Sequence, residues 1–424
     1  MPELLLIGVG CMGRPYVSAA ERLGARVRVI ESSTGAIAAA EIASEVRAAP
    51  GELEEALAGT AYACAAERVP DAVVAFSEEH VLAAALVRDM LALPGPSLHG
   101  SLLSRNKALQ RGCFAAAGLR QPEHLVVECL REARHWVSDR FPVVIKPLSS
   151  TGSEGVELVA DPRAFAVAAA RRVDHGPFLV ETAIRGAEYS WEGLVRDGQV
   201  WFSNVTAKET TGPPQFVELV HRAAASLGED TAAEVDRLAA GVIDAMRLSS
   251  GLVHLEFRLA ESGPTIMEVA VRTPGAFIME VLELTYGVDL FEMTLRVALG
   301  LTLPDAPSDP VRYAASCWLV APPGVVTAVH GLDEVRAHPG VHRAEIEVTA
   351  GAVVEPLRSW RERVGCVVVV ADTRAELERS LSFVRRTLTV QTRSVHGWDA
   401  RGLSARSDAK REYQNGEPAA LLDV

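Results

Sequence analysis

Residues 141–156 contain a short apolar run followed by a lysine, a proline and a loop of small residues. Val143–Ile145 predicts a buried strand that ends at Lys146, because consecutive apolar residues suit a strand covered on both faces. Pro147 has no N–H to donate to a sheet ladder, so the strand stops there. The backbone N–H and hydroxyl groups of residues 149–155 can approach an anion closely. A lysine beside such a loop is suited to a polyphosphate, and a surface hairpin with a solvated lysine is the alternative for this stretch alone.

Length and charge limit the class of protein. A chain of 424 residues is too long for one ordinary core and predicts about three domains. The net charge of -13 argues against a nucleic-acid binder, which needs a basic face. No apolar run reaches the roughly 18 to 20 residues that span a bilayer, and no basic segment of a signal peptide precedes the first strand. We therefore expect a cytoplasmic protein that acts on small molecules and binds neither nucleic acid nor membrane, with a homodimer as an open alternative to a monomer.

Residues 1–97 alternate apolar runs with alanine-rich helical patterns, which predicts a small parallel α/β domain. Gly8, Gly10 and Gly13 follow its first strand, and Glu31 ends its second. This spacing meets the dinucleotide-binding fingerprint, so an NAD-dependent oxidoreductase is one alternative function. The same glycines also suit a tight strand-to-helix turn that binds no dinucleotide, and we favour that interpretation.

Three further regions follow a Pro/Gly boundary at residues 93–96. Residues 98–205 predict a linker helix over Ser101–Ala117 and then a compact small lobe of short strands that contains the glycine-rich loop. Residues 206–305 return to longer helices and strands and predict a large lobe. Residues 306–424 alternate short strands and turns, and we expect this C-terminal lobe to complete the large domain.

Two predicted strands near residue 260 carry facing carboxylates. The turn around Gly263 places Glu256 and Glu268 opposite each other, and paired carboxylates on rigid strands suit Mg²⁺ when phosphate oxygens supply its other ligands. The side-chain period of two puts Glu268, Ala270 and Arg272 on one face of the second strand. An arginine fork there can hold a carboxylate or an acyl phosphate in a bidentate grip.

These motifs together resemble the ATP-grasp superfamily and, within it, the L-amino acid ligases, over about residues 70–300. The resemblance implies a fold of the α/β and α+β class: an ATP-grasp fold with an N-terminal Rossmann-like domain and a C-terminal α+β lobe. It implies that ATP phosphates are held by Lys107 and Lys146 under a mobile loop of Ser149, Ser150, Thr151, Gly152, Ser153 and Gly155. It implies adenine contacts near Glu181 and Ile184 and a ribose contact at Glu188. It implies Mg²⁺, with Mn²⁺ as an alternative, on Glu256 and Glu268.

The resemblance also has an informative departure. The second metal strand reads Glu-x-Ala-x-Arg, where many superfamily members have Asn in place of Ala270, and this form is similar to the amino acid ligase branch. That branch implies Arg272, together with Lys146, as catalytic residues. Glu218 and His221 match its Glu-x-Gly-His segment in part and are candidate substrate residues.

Several charged residues have ambiguous roles from sequence. Glu78 follows the carboxyl end of a strand, where α/β domains bind ligands, and is a further candidate substrate residue. Lys208 and Glu209 suit either the surface or a position near phosphate, and we favour a satisfied core position for His254 over a metal-binding one.

The implied reaction is ATP-dependent joining of a carboxylate to an amine through an acyl phosphate. Alternatives are a ligase of the same superfamily that loads a carrier-protein thiol or forms a γ-glutamyl amide, a nucleotide-binding regulator without catalysis, and the oxidoreductase above.

Overall fold

The N-terminal part of the chain folds as a parallel sheet with helices against it. The structure is a computed structural model that describes residues 1–8, 13–31, 44–48, 51–66, 68–150, 152, 154–172 and 176–394. The elements are β1 (Glu3–Ile7), α1 (Gly13–Arg22), β2 (Arg26–Glu31), β3 (Ser44–Arg47), α2 (Leu53–Ala66), β4 (Ala72–Val74) and α3 (Val81–Leu91). The strand order is β3-β2-β1-β4, all parallel. Residues 4–7 are fully buried, as expected where helices cover both faces of a sheet.

Two short helices link this domain to the next lobe: α4 (Leu98–Ser104) and α5 (Lys107–Ala116). The prediction of one continuous helix over Ser101–Ala117 was therefore wrong. Asn106 has an extended backbone, and its Oδ1 accepts from the N–H groups of Ala108 (3.0 Å) and Leu109 (3.1 Å). A side chain that accepts first-turn N–H groups starts a new helix, so the break falls at this residue.

The small lobe is an antiparallel sheet covered by a helix. Its elements are β5 (His124–Val127), α6 (Arg134–Val137), β6 (Val143–Pro147), β7 (Glu157–Val159), α7 (Pro162–Arg171) and β8 (Phe178–Thr182). The strand order is β5-β8-β6-β7, and residues 148–156 join β6 to β7. Val143 and Ile145 point into a core that Phe165 of α7 and Phe178 of β8 complete.

The large lobe is built around one long antiparallel sheet. Its elements are β9 (Ala187–Arg196), β10 (Gln199–Thr210), β11 (Glu218–Arg222), α8 (Glu229–Ala245), β12 (Gly251–Ala260), β13 (Gly263–Ala270), α9 (Ile278–Tyr286), α10 (Leu290–Ala298), β14 (Tyr313–Leu319), β15 (Gly324–His330), α11 (Leu332–Arg336), β16 (Val341–Ile346), β17 (Val353–Val354), β18 (Gly365–Ala371), α12 (Arg374–Thr387) and β19 (Thr389–Arg393). The order in the sheet is β13-β12-β9-β10-β11-β14-β18-β16, and β17-β15-β19 form a separate small sheet.

The long sheet crosses the expected boundary at residue 205. The sequence placed β9 and most of β10 in the small lobe, whereas their hydrogen bonds join them to β12 and β11 in the long sheet. The partner β12 begins more than fifty residues after β9 begins, so no local pattern announces the pairing. Strands β14, β16 and β18 of the C-terminal region join the same sheet. Among the described helices, none is both long and apolar enough to cross a membrane.

Candidate active site

Lys107 lies in the first turn of α5, where the loop and the long sheet meet. Asn106 caps the helix, and the Lys107 N–H donates to the Leu148 carbonyl at 2.9 Å, which fixes α5 against the end of β6. Lys107 Nζ donates to the Ser150 carbonyl at 2.7 Å and lies 3.0 Å from Glu268 Oε1. A phosphate-binding candidate, the loop and a metal-binding candidate therefore meet at one point, although they are far apart in the sequence.

Gln110 holds α5 in register with β13. Its side-chain amide donates to the Val269 carbonyl at 2.9 Å and accepts from the Val269 N–H at 2.9 Å. Because β13 is the edge of the long sheet, these two bonds satisfy backbone groups that lack a neighbouring strand. They also place Lys107, one helical turn earlier, over Glu268.

Lys146 ends β6 beside a buried carboxylate. Its Nζ lies 2.6 Å from Glu181 Oε2, and Arg111 Nε donates to Glu181 Oε1 at 2.5 Å. Burial raises the pKa of Glu181, but the Arg111 and Lys146 charges outweigh burial and hold it at about 2, against an ordinary value of 4.5. The Glu181 side chain therefore fixes Lys146, and any adenine contact at this position is left to backbone groups.

The loop after β6 depends on glycine at two positions. Of the predicted loop residues, the structure describes Ser149, Ser150, Gly152 and Gly155, whereas Thr151 and Ser153 lie outside the described residues. Gly152 and Gly155 both have positive φ angles, +59° and +74°. A Cβ on Gly152 would lie 2.0 Å from Cδ1 of Trp360, and one on Gly155 would lie 2.7 Å from Cγ of Pro147. Side chains at these two positions would therefore displace the loop.

Glu256 and Glu268 form the candidate metal site. They are direct partners in the β12–β13 ladder, a position in which Cβ atoms lie about 5 Å apart. Among the described residues, no group of three or more His, Cys, Asp and Glu side chains gathers to hold a metal. Two carboxylates with an incomplete shell fit Mg²⁺, which usually takes one or two protein carboxylates and completes its shell with phosphate oxygens and water. The donor set therefore fits the ion that the resemblance implies.

Lys208 is a site residue that the sequence analysis left ambiguous. Its side chain is fully enclosed on β10, and Nζ lies 2.6 Å from both Glu218 Oε1 and Glu256 Oε1. The surface alternative is wrong for Lys208. It holds for Glu209, whose side chain is 39% exposed. The available signal was a polar stripe on the strand: Thr206 and Asn204, which precede Lys208 by two and four residues, are also buried.

The Lys208 charge controls the two carboxylates beside it. Burial raises the pKa of Glu256 and of Glu218, but Lys208 and the histidine beside each carboxylate together outweigh burial and bring both pKa values well below the ordinary 4.5. The same attraction raises the pKa of Lys208 against the opposing effect of burial. His221 Nε2 lies 3.2 Å from the other oxygen of Glu218, so the structure brings these two candidate substrate residues together.

His254 lies between Glu192 and Glu256. Its Nδ1 lies 3.0 Å from a buried oxygen of Glu192, and its Nε2 lies 3.4 Å from Glu256 Oε1. Glu192 is satisfied further by Asn204 and Thr206, at 2.9 Å and 2.7 Å. Burial lowers the pKa of His254, but the hydrogen bonds to Glu192 and Glu256 raise it overall. This arrangement agrees with a satisfied core position for the histidine.

The candidate ribose residue Glu188 lies with Ile184 around one arginine. Arg258 donates through Nη2 to Glu188 Oε2 at 2.7 Å and through Nη1 to the Ile184 carbonyl at 2.9 Å. The guanidinium carbon also lies 4.6 Å from the Phe216 ring centroid. Arg258 therefore fixes the connection between β8 and β9, and Glu188 already has a cationic partner.

Arg272 contacts the N-terminal domain. Its Nε donates to Glu78 Oε2 at 2.5 Å, and Glu78 also accepts from Arg105 Nη1 at 3.2 Å. Burial raises the pKa of Glu78, but the Arg272 and Arg105 charges outweigh it and lower the pKa overall. The two candidate substrate residues Glu78 and Arg272 are thus paired across the domain boundary.

Among the N-terminal glycines that the structure describes, Gly8 has a packing role. Gly8 has a φ angle of +73°, and a Cβ there would lie 1.9 Å from His80 Nδ1. Gly8 therefore makes room for the His80 ring. Gly13 begins α1, and Gly10 lies outside the described residues.

Comparison with known families gives two matches along the chain. Residues 139–280 match the ATP-grasp domain, and residues 317–393 match the L-amino acid ligase C-terminal domain 2. The chain superposes on the crystal structure of an L-amino acid ligase from Bacillus licheniformis with a TM-score of 0.79 and 22% identity. That superposition covers 93% of this chain and 99% of the other, and it shows a shared fold.

Three sequence relatives share 19% to 26% identity with the chain. The chain is 26% identical to the uncharacterized protein y4rH from Sinorhizobium fredii, over 68% of this chain and 61% of that protein. It is 26% identical to carnosine synthase 1 from Gallus gallus, over 80% of this chain and 40% of that protein. The chain thus spans about three fifths and two fifths of the lengths of these two relatives. It is 19% identical to an L-arginine-specific L-amino acid ligase from Bacillus subtilis, over 77% of this chain and 81% of that protein. The chain therefore contains an ATP-grasp domain over residues 139–280 and the second C-terminal domain of the L-amino acid ligases over residues 317–393.

Proposed function

We propose that this protein is an ATP-dependent carboxylate–amine ligase that joins an amino acid, or a related carboxylic acid, to the amine of a second amino acid. A carboxylate attacks the γ-phosphate of ATP and gives an acyl phosphate and ADP, and the amine then displaces phosphate to form the amide. The observation that carries the proposal is the meeting of Lys107 Nζ with Glu268 and the Ser150 carbonyl, at 3.0 Å and 2.7 Å. A lysine that can bind phosphate, a carboxylate that can bind a metal and a glycine-rich loop at one point suit phosphoryl transfer.

Phosphoryl transfer depends on charge neutralisation and in-line positioning more than on covalent chemistry by the protein. In this proposal Lys107 and Lys146 hold the phosphates, and the loop N–H groups from Ser149 to Gly155 close over them. Lys146 is already oriented by Glu181, so little reorganisation is needed when phosphate arrives. A closed loop also keeps water away from the acyl phosphate.

Glu256 and Glu268 would hold Mg²⁺, with Mn²⁺ as an alternative. The ion would neutralise phosphate charge and orient the nucleotide. Glu268 lies beside Lys107 and Glu256 beside Lys208, so each carboxylate has a protein cation as partner before any metal binds. A metal would therefore bind to carboxylates that are already ion-paired, so we expect it to need the nucleotide phosphates as further ligands and its binding to be coupled to that of the nucleotide.

Arg272 and Glu78 are the proposed contacts for the acyl substrate, and Glu218 and His221 those for the amine substrate. Arg272 offers a guanidinium fork that suits a carboxylate or an acyl phosphate. Glu218 is held ionised beside Lys208 and could accept a substrate ammonium group. The match of residues 317–393 to an L-amino acid ligase domain supports amino acids as the substrate class.

The test is a screen of amino acid pairs with ATP and Mg²⁺, in which ADP release is measured and the product mass is determined. We expect at least one pair to give ADP together with a product equal to the two amino acids minus water. Glu268→Gln should abolish this, whereas Glu157→Gln, a carboxylate on the outer surface of the small lobe, should not. ADP release with no amide product for any pair would refute the carboxylate–amine ligase assignment. Transfer to a thiol of an added carrier protein would favour the carrier-loading alternative.

A further inference from the structure

Lys208 occupies a position that a divalent cation could take. Its Nζ lies 2.6 Å from one oxygen each of Glu218 and Glu256, so these two oxygens are at most twice 2.6 Å apart. The lysine side chain is 0% exposed, whereas the Glu218 and Glu256 side chains are 22% and 28% exposed. The ammonium is therefore enclosed, whereas the two carboxylates that contact it are partly exposed.

The surroundings of Lys208 keep it in place. The ladder pairs Lys208 with Glu188 on one side and with His221 on the other, so the backbone cannot shift without breaking two strand pairings. His254 lies against the same Glu256 oxygen, at 3.4 Å. An ammonium enclosed in this way cannot exchange with solvent cations while the sheet is folded.

Two carboxylates this close would attract a divalent ion if the lysine were absent. Oxygen ligands and ligand charge set the affinity of Mg²⁺-type sites, and paired carboxylates bind far better than one. A metal bound between Glu218 and Glu256 would be bound without nucleotide and would occupy the carboxylate proposed for the amine substrate.

We propose that Lys208 is a positioning residue that acts as a built-in cation between Glu218 and Glu256, so that a divalent metal ion enters the site only together with the nucleotide phosphates. Lys208 permanently neutralises the Glu218 and Glu256 oxygens that it contacts. Glu256 then shares a metal with Glu268 across the β12–β13 ladder. The inference rests on the proposed function through the metal role of Glu256.

The probe is Mn²⁺, whose free concentration is followed by electron paramagnetic resonance in titrations of the full-length protein with and without ADP. Nucleotide-free wild type should bind Mn²⁺ much more weakly than the ADP-loaded protein. Lys208→Met should gain nucleotide-independent Mn²⁺ binding, with affinity about tenfold or more above that of nucleotide-free wild type, because two carboxylates lose their cation. Mn²⁺ should also raise the melting temperature of this variant more than that of wild type.

The matched control is the double variant Lys208→Met with Glu218→Gln. It leaves Glu256 as the one carboxylate of this pair, so it should lose the Mn²⁺ binding that the single variant gains. If Lys208→Met does not fold, Lys208→Gln, whose amide can donate to a carboxylate, is measured in the same way. Wild type that binds Mn²⁺ equally well without ADP would overturn the inference. So would a variant that is destabilised but gains no Mn²⁺ affinity, since that is the behaviour of a purely structural lysine.

The two proposals fail differently. If no amino acid pair yields an amide but the Mn²⁺ pattern holds, the ligase assignment fails and the role of Lys208 stands. If amides form but nucleotide-free wild type binds Mn²⁺ tightly, only the role of Lys208 fails.

Discussion

Replacement of Glu181 by glutamine tests the buried cluster that holds Lys146. The variant removes one negative charge and leaves Arg111 and Lys146 buried without a carboxylate. The lowering of the Glu181 pKa from 4.5 to about 2 corresponds to about 3 kcal/mol of stabilisation. Loss of one partner from a buried ion pair costs about 3–5 kcal/mol, which agrees in size. We expect Glu181→Gln to lower the urea midpoint of unfolding by about 1 M at pH 7.

Glu157→Gln is the matched control. Glu157 also lies between two arginines of the small lobe, Arg171 and Arg172, at 2.7 Å and 2.6 Å. This cluster is partly exposed, and surface pairs contribute about 0–1 kcal/mol, so the control should shift the midpoint little. Equal effects of the two substitutions would refute the conclusion that burial makes the Glu181 cluster contribute more to the free energy of unfolding than the Glu157 cluster.

The pH dependence gives the same prediction a second check. The pKa of Glu181 is lowered on folding, so its contribution to the free energy of unfolding is complete above about pH 4.5 and is lost as the pH falls toward 2. The glutamine variant lacks this contribution at every pH. The difference in stability between wild type and Glu181→Gln should therefore shrink between pH 4.5 and pH 2, and a constant difference would show that the Glu181 charge is not its source.

Three further predictions concern the reaction and its alternative. Lys146→Ala should lower the rate of ADP formation by about 10²-fold or more, because it loses a preorganised transition-state contact. A variant with the full rate would show that Lys146 does not bind the phosphates. Arg272→Lys should fold, bind ADP nearly as wild type does in a fluorescence titration, and lose most ligation, because lysine keeps the charge but loses the fork. Wild-type ligation by that variant would mean that the acyl substrate is held elsewhere. NADH should show no saturable fluorescence change, since Gly8 serves the packing of His80, and micromolar affinity would revive the oxidoreductase alternative.

Asn106 shows a local signal that was present and not used. Asparagine before a lysine and an apolar run is an ordinary helix start, and its side chain does cap α5. The single-helix prediction over Ser101–Ala117 used Gly118 as the helix end and did not use Asn106 as a helix start. The error matters for the site, because the break places Lys107 in a first turn, where its N–H is free to bond Leu148.

The sequence by itself determined those features that depend on neighbours in the chain. The run to Lys146, the proline stop and the glycine-rich loop are local, and so is the hairpin that sets Glu256 opposite Glu268, because a short turn fixes the register of two antiparallel strands. These motifs carry the resemblance to the ATP-grasp superfamily, and that resemblance implied the ATP-grasp fold.

Only the tertiary structure decided which charges meet. From sequence, Lys208 suited either the surface or a position near phosphate, and it is β11 and β12 that bring Glu218 and Glu256 to its ammonium group. The sequence predicted adenine contacts near Glu181 but not that α5 brings Arg111 against its carboxylate. These partners are 10 to 70 residues apart and lie on different elements. Their pairing depends on strand order and helix docking, which are set by the burial of whole faces, so the residues beside each charge do not identify its partner.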